Sequence, residues 1–114
     1  MLSSPRLKSL TTAIMMAGIV TTPLVFADAN GENVVAGGAD FTREGGNLTI
    51  DQGSDKLIVD WQDFSVDAGQ FIRFNQPGVN ASALNRVMSG NPSAILGTLE
   101  ANGQIYLINP NGIV

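Results

Sequence analysis

The chain of 114 residues contains no cysteine and no histidine. Without cysteine there is no disulfide framework, no thiolate nucleophile and no cysteine zinc site; without histidine the commonest general base and metal ligand is missing. Most familiar hydrolase constellations are therefore excluded. Charge is scarce as well: 14% of the residues are Asp, Glu, Lys or Arg, and six cations face ten acids for a formal −4. Binding to a phosphate backbone depends on Lys and Arg displacing counterions, so nucleic acid is not an expected partner. Gly37-Gly38 and Gly45-Gly46 lack the spacing of a nucleotide-binding loop and read as turns. Helical periodicity is nowhere sustained. What is present is a 44% hydrophobic chain of a length that allows one small domain.

The amino end has the pattern of a secretory leader. Arg6 and Lys8 precede an uncharged stretch, residues 9–27, whose most apolar part is Ala13-Ile14-Met15-Met16-Ala17-Gly18-Ile19-Val20. Four Thr and one Pro in that stretch make it a poor match to a membrane span, which takes about 20 predominantly apolar residues, so removal is favoured over anchoring. Val25-Phe26-Ala27 places small residues for cleavage between Ala27 and Asp28; Ala27-Asp28-Ala29 offers a second site, and the first is preferred. The expected division is residues 1–27 as leader and 28–114 as the exported part. That part keeps four cations against ten acids, a net −6, together with all ten Asn and 12 of the 13 Gly. Such a composition suits many tight turns and disfavours long helices. An exported domain without disulfides must rely on packing and backbone hydrogen bonds.

From Gly45 onward, short β-prone runs alternate with Gly, Asn, Asp, Ser and Pro at intervals of about nine to fourteen residues. The spacing predicts strands over 47–51, 56–61, 70–75, 82–87, 94–99 and 104–108. Leu48-Thr49-Ile50 and Ile72-Arg73-Phe74 alternate, committing one face of each strand to a core. Ile105-Tyr106-Leu107-Ile108 is apolar on both faces, which predicts a strand covered on both sides. Trp61 is expected to fill core volume. Regular short strands fit either an antiparallel sandwich or a solenoid of parallel strands. The solenoid is preferred, because the breakers are rich in Asn rather than being simple Asn-Gly hairpins, and because the last run stops at Val114 without a closing polar segment.

Individual constellations divide into turns, surface charge and a few polar residues in strands. In Asn109-Pro110-Asn111-Gly112, Pro110 pre-sets φ near −65°, Asn109 can bond its own backbone ahead, and Asn111 and Gly112 tolerate left-handed φ. Repeated in a solenoid, such a turn would stack polar amides within the coil. Asn85-Arg86-Val87 puts a polar pair into a strand, and Arg86 either faces solvent, the commoner case, or is buried with a carboxylate. Asp51, Asp55, Asp60, Asp63 and Asp67 fit neither a calcium loop nor a fixed catalytic pair and read as a solvated acidic face. Asn47-Leu48-Thr49 and Asn80-Ala81-Ser82 match the glycosylation acceptor pattern, which an Asn-rich chain produces often by chance.

A series of motifs carries a more specific resemblance. Val34-Val35-Ala36-Gly37-Gly38, Leu48-Thr49-Ile50-Asp51-Gln52, Val59-Asp60-Trp61-Gln62-Asp63-Phe64-Ser65-Val66, Phe74-Asn75-Gln76-Pro77, Ala83-Leu84-Asn85-Arg86-Val87, Asn91-Pro92-Ser93-Ala94-Ile95-Leu96-Gly97 and the whole of residues 101–114 follow one another in order. From about residue 33 the chain resembles the amino-terminal secretion domain of two-partner secretion exoproteins of Gram-negative bacteria, the haemagglutination-activity domain of filamentous-haemagglutinin-type proteins. Asp60-Trp61-Gln62 and Asn85-Arg86-Val87 are most similar to its high-molecular-weight adhesin branch.

The resemblance implies an all-β fold, a right-handed parallel β-helix or single-stranded solenoid, of which residues 28–114 hold the amino-terminal cap and first coils. It implies a leader read by the Sec translocon and recognition in the periplasm by a partner outer-membrane β-barrel transporter with periplasmic recognition domains. The product is then secreted or placed on the cell surface, where parts beyond Val114 would meet host receptors. Asn109, Pro110, Asn111 and Gly112 match the family's secretion-motif turn, and Asn85, Arg86 and Val87 its second motif. In the family these positions bear on secretion and folding; no catalytic, cofactor or metal residue is implied. The family's domain continues well past this length, so the chain is expected to be an incomplete copy. Two other readings are a piece of a carbohydrate-active β-helix enzyme, with acids drawn from the aspartate series, and a free-standing periplasmic binding protein.

Overall fold

The computed structural model describes residues 28–114; the leader expected over residues 1–27, with Ala27 on the near side of its cleavage site, lies outside the described residues. Eight strands make up the regular structure: β1 (Asn33–Ala36), β2 (Ala39–Glu44), β3 (Asn47–Gln52), β4 (Lys56–Trp61), β5 (Phe71–Asn75), β6 (Ser82–Val87), β7 (Thr98–Ala101) and β8 (Gln104–Ile108). They form two four-stranded sheets, β1-β4-β6-β8 and β2-β3-β5-β7. The chain passes from one sheet to the other after nearly every strand. β3-β5-β7 and β4-β6-β8 are parallel throughout, whereas β1 meets β4 and β2 meets β3 antiparallel.

This order follows from residue pattern. Apolar residues alternate along each strand, and the parallel register puts like above like: Leu48 beside Ile72 beside Leu99, and Ile50 beside Phe74 beside Ala101. In the second sheet Leu57, Ala83 and Ile105 share one row, and Trp61 and Val87 another. These rows converge on a core that includes Phe64 and Val66, with Trp61 in edge-to-face contact with both Phe41 and Phe64 at 5.7 and 5.2 Å between centroids. The expectation that Trp61 fills core volume holds, as it is completely buried. Isolated parallel bridges, Val66 with Ile95 and Ser93 with Ile113, line a third side.

Strands 56–61, 82–87 and 104–108 lie where the sequence pattern puts them, and 47–51 and 70–75 differ by a residue. The run 94–99 does not form one strand. Ala94 to Leu96 belong to the third side and β7 starts only at Thr98, because Gly97 brings the backbone against the carbonyls of Asp67 and Gln70 with no room for a Cβ. The expected coverage of 104–108 on both faces is also corrected: Tyr106 and Ile108 are 54% and 51% exposed, since they point away from the core on an edge strand. Two strands were not foreseen, β1 and β2. β1 has four residues and an irregular register, and β2 mixes its inward Ala39 and Phe41 with Asp40, Arg43 and Glu44. Gly45-Gly46, read as a turn, joins β2 to β3 with φ of +56° and +91°, the double left-handed geometry that a two-residue hairpin requires.

Candidate functional site

The residues singled out in the sequence occupy neighbouring parts of two successive passes. Asn85, Arg86 and Val87 end β6, which runs on into the corner at residues 89–93; β8, paired with β6, runs on into the turn at 109–112. The second corner sits directly on the first.

Within the turn, the Gly112 N–H donates to the Asn109 carbonyl at 3.0 Å and the Asn111 N–H to Asn109 Oδ1 at 2.9 Å, with Pro110 supplying the fixed φ between them. Gly112 takes a φ of +104°. The side-chain amides then reach back one pass. Asn109 Nδ2 donates to the Asn91 carbonyl at 2.9 Å and to Ser93 Oγ at 3.0 Å, and Asn111 Nδ2 donates to the Ser89 carbonyl at 2.8 Å and to Asn109 Oδ1 at 3.1 Å. The older corner is tied to the pass before it: Ser89 Oγ and Asn91 Nδ2 both donate to Asp63 Oδ1 at 2.9 Å. Asp63, Ser89 with Asn91, and Asn109 with Asn111 thus form a polar column along one corner. The stacked amides expected of a repeated turn are present, but the repeat is one of position, because the middle corner is built from Ser and Asn around Pro92 rather than from a second Asn-Pro-Asn-Gly.

The second motif divides by face. Asn85 is buried at 1% exposure in a row between Val59 and Leu107. Its Oδ1 accepts from Trp61 Nε1 at 2.9 Å and its Nδ2 donates to the Tyr106 carbonyl at 3.2 Å, so a single amide links three passes. Val87 is buried beside Trp61. Arg86 combines the two alternatives weighed for it: its side chain is 38% exposed and its Nε donates to Asp60 Oδ1 at 2.7 Å.

The aspartate series is dispersed rather than gathered. Asp51 accepts from Asn75 Nδ2, Asp60 holds Arg86, Asp63 anchors the corner, and Asp67 lines a small cavity with Asp28. Among the described residues no group of three or more His, Cys, Asp or Glu is placed to hold a metal ion.

A second polar ladder was missed in the sequence. Gln52 and Gln76, at 6% and 7% exposure, stack at the corner between the two sheets, with Gln76 Nε2 donating to Gln52 Oε1 at 3.1 Å. Gln52 Nε2 donates to the Ser82 carbonyl, Gln76 Nε2 to the Gln104 carbonyl, and Asn102 exchanges two bonds with the Gln76 backbone. The available signal was the recurrence of Asp51-Gln52 and Asn75-Gln76 at the same end of β3 and of β5.

Comparison with known proteins decides the family. A model of the TPS secretion domain matches residues 26–114. The chain belongs to the TPS secretion domain family. Within it, the chain is 43% identical over 84 residues to a heme/hemopexin-binding protein of Haemophilus influenzae strain Rd, covering 74% of this chain and 9% of that protein. A second heme/hemopexin-binding protein of Haemophilus influenzae is 49% identical over 67 residues, covering 59% of this chain and 7% of the relative. Among solved structures, the HMW1 secretion domain from Haemophilus influenzae superposes with a TM-score of 0.71 at 38% identity, over 75% of this chain and 23% of that one. The chain therefore spans less than a tenth of the curated relatives it matches.

Proposed function

We propose that the chain is the amino-terminal secretion module of a large exoprotein, recognised in the periplasm by a partner outer-membrane β-barrel transporter and carried to the cell surface. Residues 1–27 direct the precursor to the Sec translocon and are removed. The exported part winds as a right-handed parallel β-helix that starts from the antiparallel β1 and β2 as a cap and grows pass by pass. The observation that carries this reading is the polar corner column, in which each set of side chains bonds to the set one pass earlier. A module so built has its template behind it and its growing edge ahead.

Growth of this kind supplies a direction for export. A chain with no disulfide can cross a narrow barrel unfolded, and a solenoid in which each pass contacts only its neighbours can fold progressively as it emerges. Recognition before transit uses an extended segment added to a sheet edge of the transporter's periplasmic domains, with backbone bonds supplying affinity and alternate side chains specificity. The net negative charge of the exported part favours encounter with a basic groove. No chemical step is assigned to the chain, in keeping with the dispersed aspartates.

The test is export of a variant carrying Asn109→Ala and Asn111→Ala, which removes five hydrogen bonds of the last corner. With the partner transporter co-expressed, the variant is expected to accumulate in the periplasm and be degraded while the parent reaches the medium. Equal amounts outside the cell would remove the turn from the mechanism.

A further inference from the structure

The first described residues are fastened to the body of the fold. Ala29 is 1% exposed and belongs to the core, and its carbonyl accepts from Arg43 Nη2 at 3.0 Å. Arg43 reaches it from β2 while its guanidinium also grips both carboxylate oxygens of Glu32, at 2.9 and 2.7 Å. One residue further, the Asn30 N–H donates to the Asp63 carbonyl at 3.0 Å, and the Asn30 carbonyl accepts from Gln62 N–H at 3.0 Å. Cleavage after Ala29 would delete a core residue and the acceptor that Arg43 holds. Cleavage after Ala27 keeps both.

Asp28 then becomes the first residue, and it stands at a cavity of about 150 Å³ that it lines together with Arg43, Asn47, Ser65 and Asp67. Among the described residues, the charged groups there are the carboxylates of Asp28 and Asp67, the Arg43 guanidinium and, through Arg43, the Glu32 carboxylate. These three acids share one cation, Arg43, which Glu32 already occupies. Asp28 shows the strain of that arrangement: burial and then the neighbouring Asp67 charge push its carboxyl above the ordinary range, with Arg43 offsetting only part.

We propose that cleavage between Ala27 and Asp28 creates an α-ammonium that is held in this cavity by the Asp28 and Asp67 carboxylates, so that leader removal completes a salt link and locks the first residues onto β2 and β3. The ligand is the chain's own new terminus, and Asp67 is its positioning residue. The assignment rests on the export reading only through the existence of a leader. The corner column can fail in export without affecting where this amine sits, and the amine can be ordinary in a chain that is exported well.

An α-ammonium gaining carboxylate partners has its pKa raised above the ordinary value of about 7.7–8.0. The stability it contributes is fully present below that value and is lost as pH rises through the higher folded-state pKa. The experiment uses the full gene, leader included, expressed in a Gram-negative host, with the processed protein recovered. Intact mass gives the first residue, and pH-dependent reductive methylation of the amine gives its pKa. The expected result is a chain beginning at Asp28 whose amine titrates at least about one unit high, a tenfold gain in proton affinity. That gain should disappear in Asp67→Asn, persist in Asp40→Asn, and disappear when a single Gly is inserted between Ala27 and Asp28. A chain beginning at Asn30, or an amine of ordinary pKa indifferent to Asp67→Asn, overturns the proposal.

Discussion

Asn85 and Arg86 are adjacent in sequence and share one motif, yet their side chains do different jobs. Asn85 sits in an apolar row and is the acceptor for the Trp61 indole N–H and a donor to the Tyr106 carbonyl. Replacing it by Leu keeps much of the volume but leaves the buried Trp61 N–H without its acceptor, at a cost of about 1–3 kcal/mol. Arg86 lies on the outer face, where its ion pair with Asp60 is open to solvent, and surface pairs contribute roughly 0–1 kcal/mol. Urea midpoints should therefore fall clearly for Asn85→Leu and hardly at all for Arg86→Ala; equal losses would contradict the division by face. Another residue-scale expectation concerns acid. The Arg43 hydrogen bond holds the Glu32 carboxyl below its ordinary range, only partly opposed by burial. A depressed carboxyl contributes stability above its unfolded pKa, and that contribution is lost as pH falls through the lower folded value. Thermal melts of Arg43→Met should lack this component of the decline below about pH 4.5, while the parent retains it.

At the scale of elements, walls and corners obey different rules. Inward positions of the walls are mostly apolar, with Asn85 a polar exception; corners are places where one backbone closely approaches another. A Cβ on Gly103 would meet Gln76 Oε1 at 2.7 Å and the carbonyls of Ala81 and Gly78 at 2.8 Å, whereas one on Gly90 would meet nothing. Gly103→Ala should therefore cost about 1–3 kcal/mol by overpacking, and Gly90→Ala should stay within about 0.5 kcal/mol, both read from denaturant midpoints. The same contrast explains what could be read from the sequence. β4, β6 and β8 are runs of β-prone residues with clear breakers, and their limits follow from local pattern alone. β1 and β2 carry short or charged runs whose pairing is decided by the strands they cover, and Gly97 divides an apparently continuous run because of contacts with Asp67 and Gln70, distant in sequence. The turn at 109–112 announced itself by its own residues. The Gln52 and Gln76 ladder did not, since glutamine at a strand end is ordinary and the bonds that join the two to each other and to the Ser82 and Gln104 carbonyls arise only when the strands stack.

For the molecule as a whole, the pairing order makes stability a matter of neighbours. β3, β4, β5 and β6 each have a paired strand on both sides, while β7 and β8 have one and form the outer edges of the two sheets. Their inward residues Leu99, Ala101, Ile105 and Leu107 are only partly buried, in contrast to Ile50, Val59, Phe74 and Ala83. In an assembly where each pass contacts only the next, opening should begin at such an edge and proceed inward rather than occur all at once. Native-state hydrogen exchange on the 114-residue chain should show amides of β7 and β8 exchanging first, and those of β5 and β6 later. The β3 and β4 amides, backed by the antiparallel cap, should be the slowest. The cap is what makes this ordering a test, because β1 and β2 are also sheet edges, and a simple edge effect would open both ends alike. Arg43, through Ala29 and Glu32, ties the chain ahead of β1 to β2. Its replacement by Met should accelerate exchange in β1 and β2 while leaving β7 and β8 unchanged. Uniform exchange across all eight strands would instead mean one cooperative unit, and the pass-by-pass growth proposed for export would lose its physical basis.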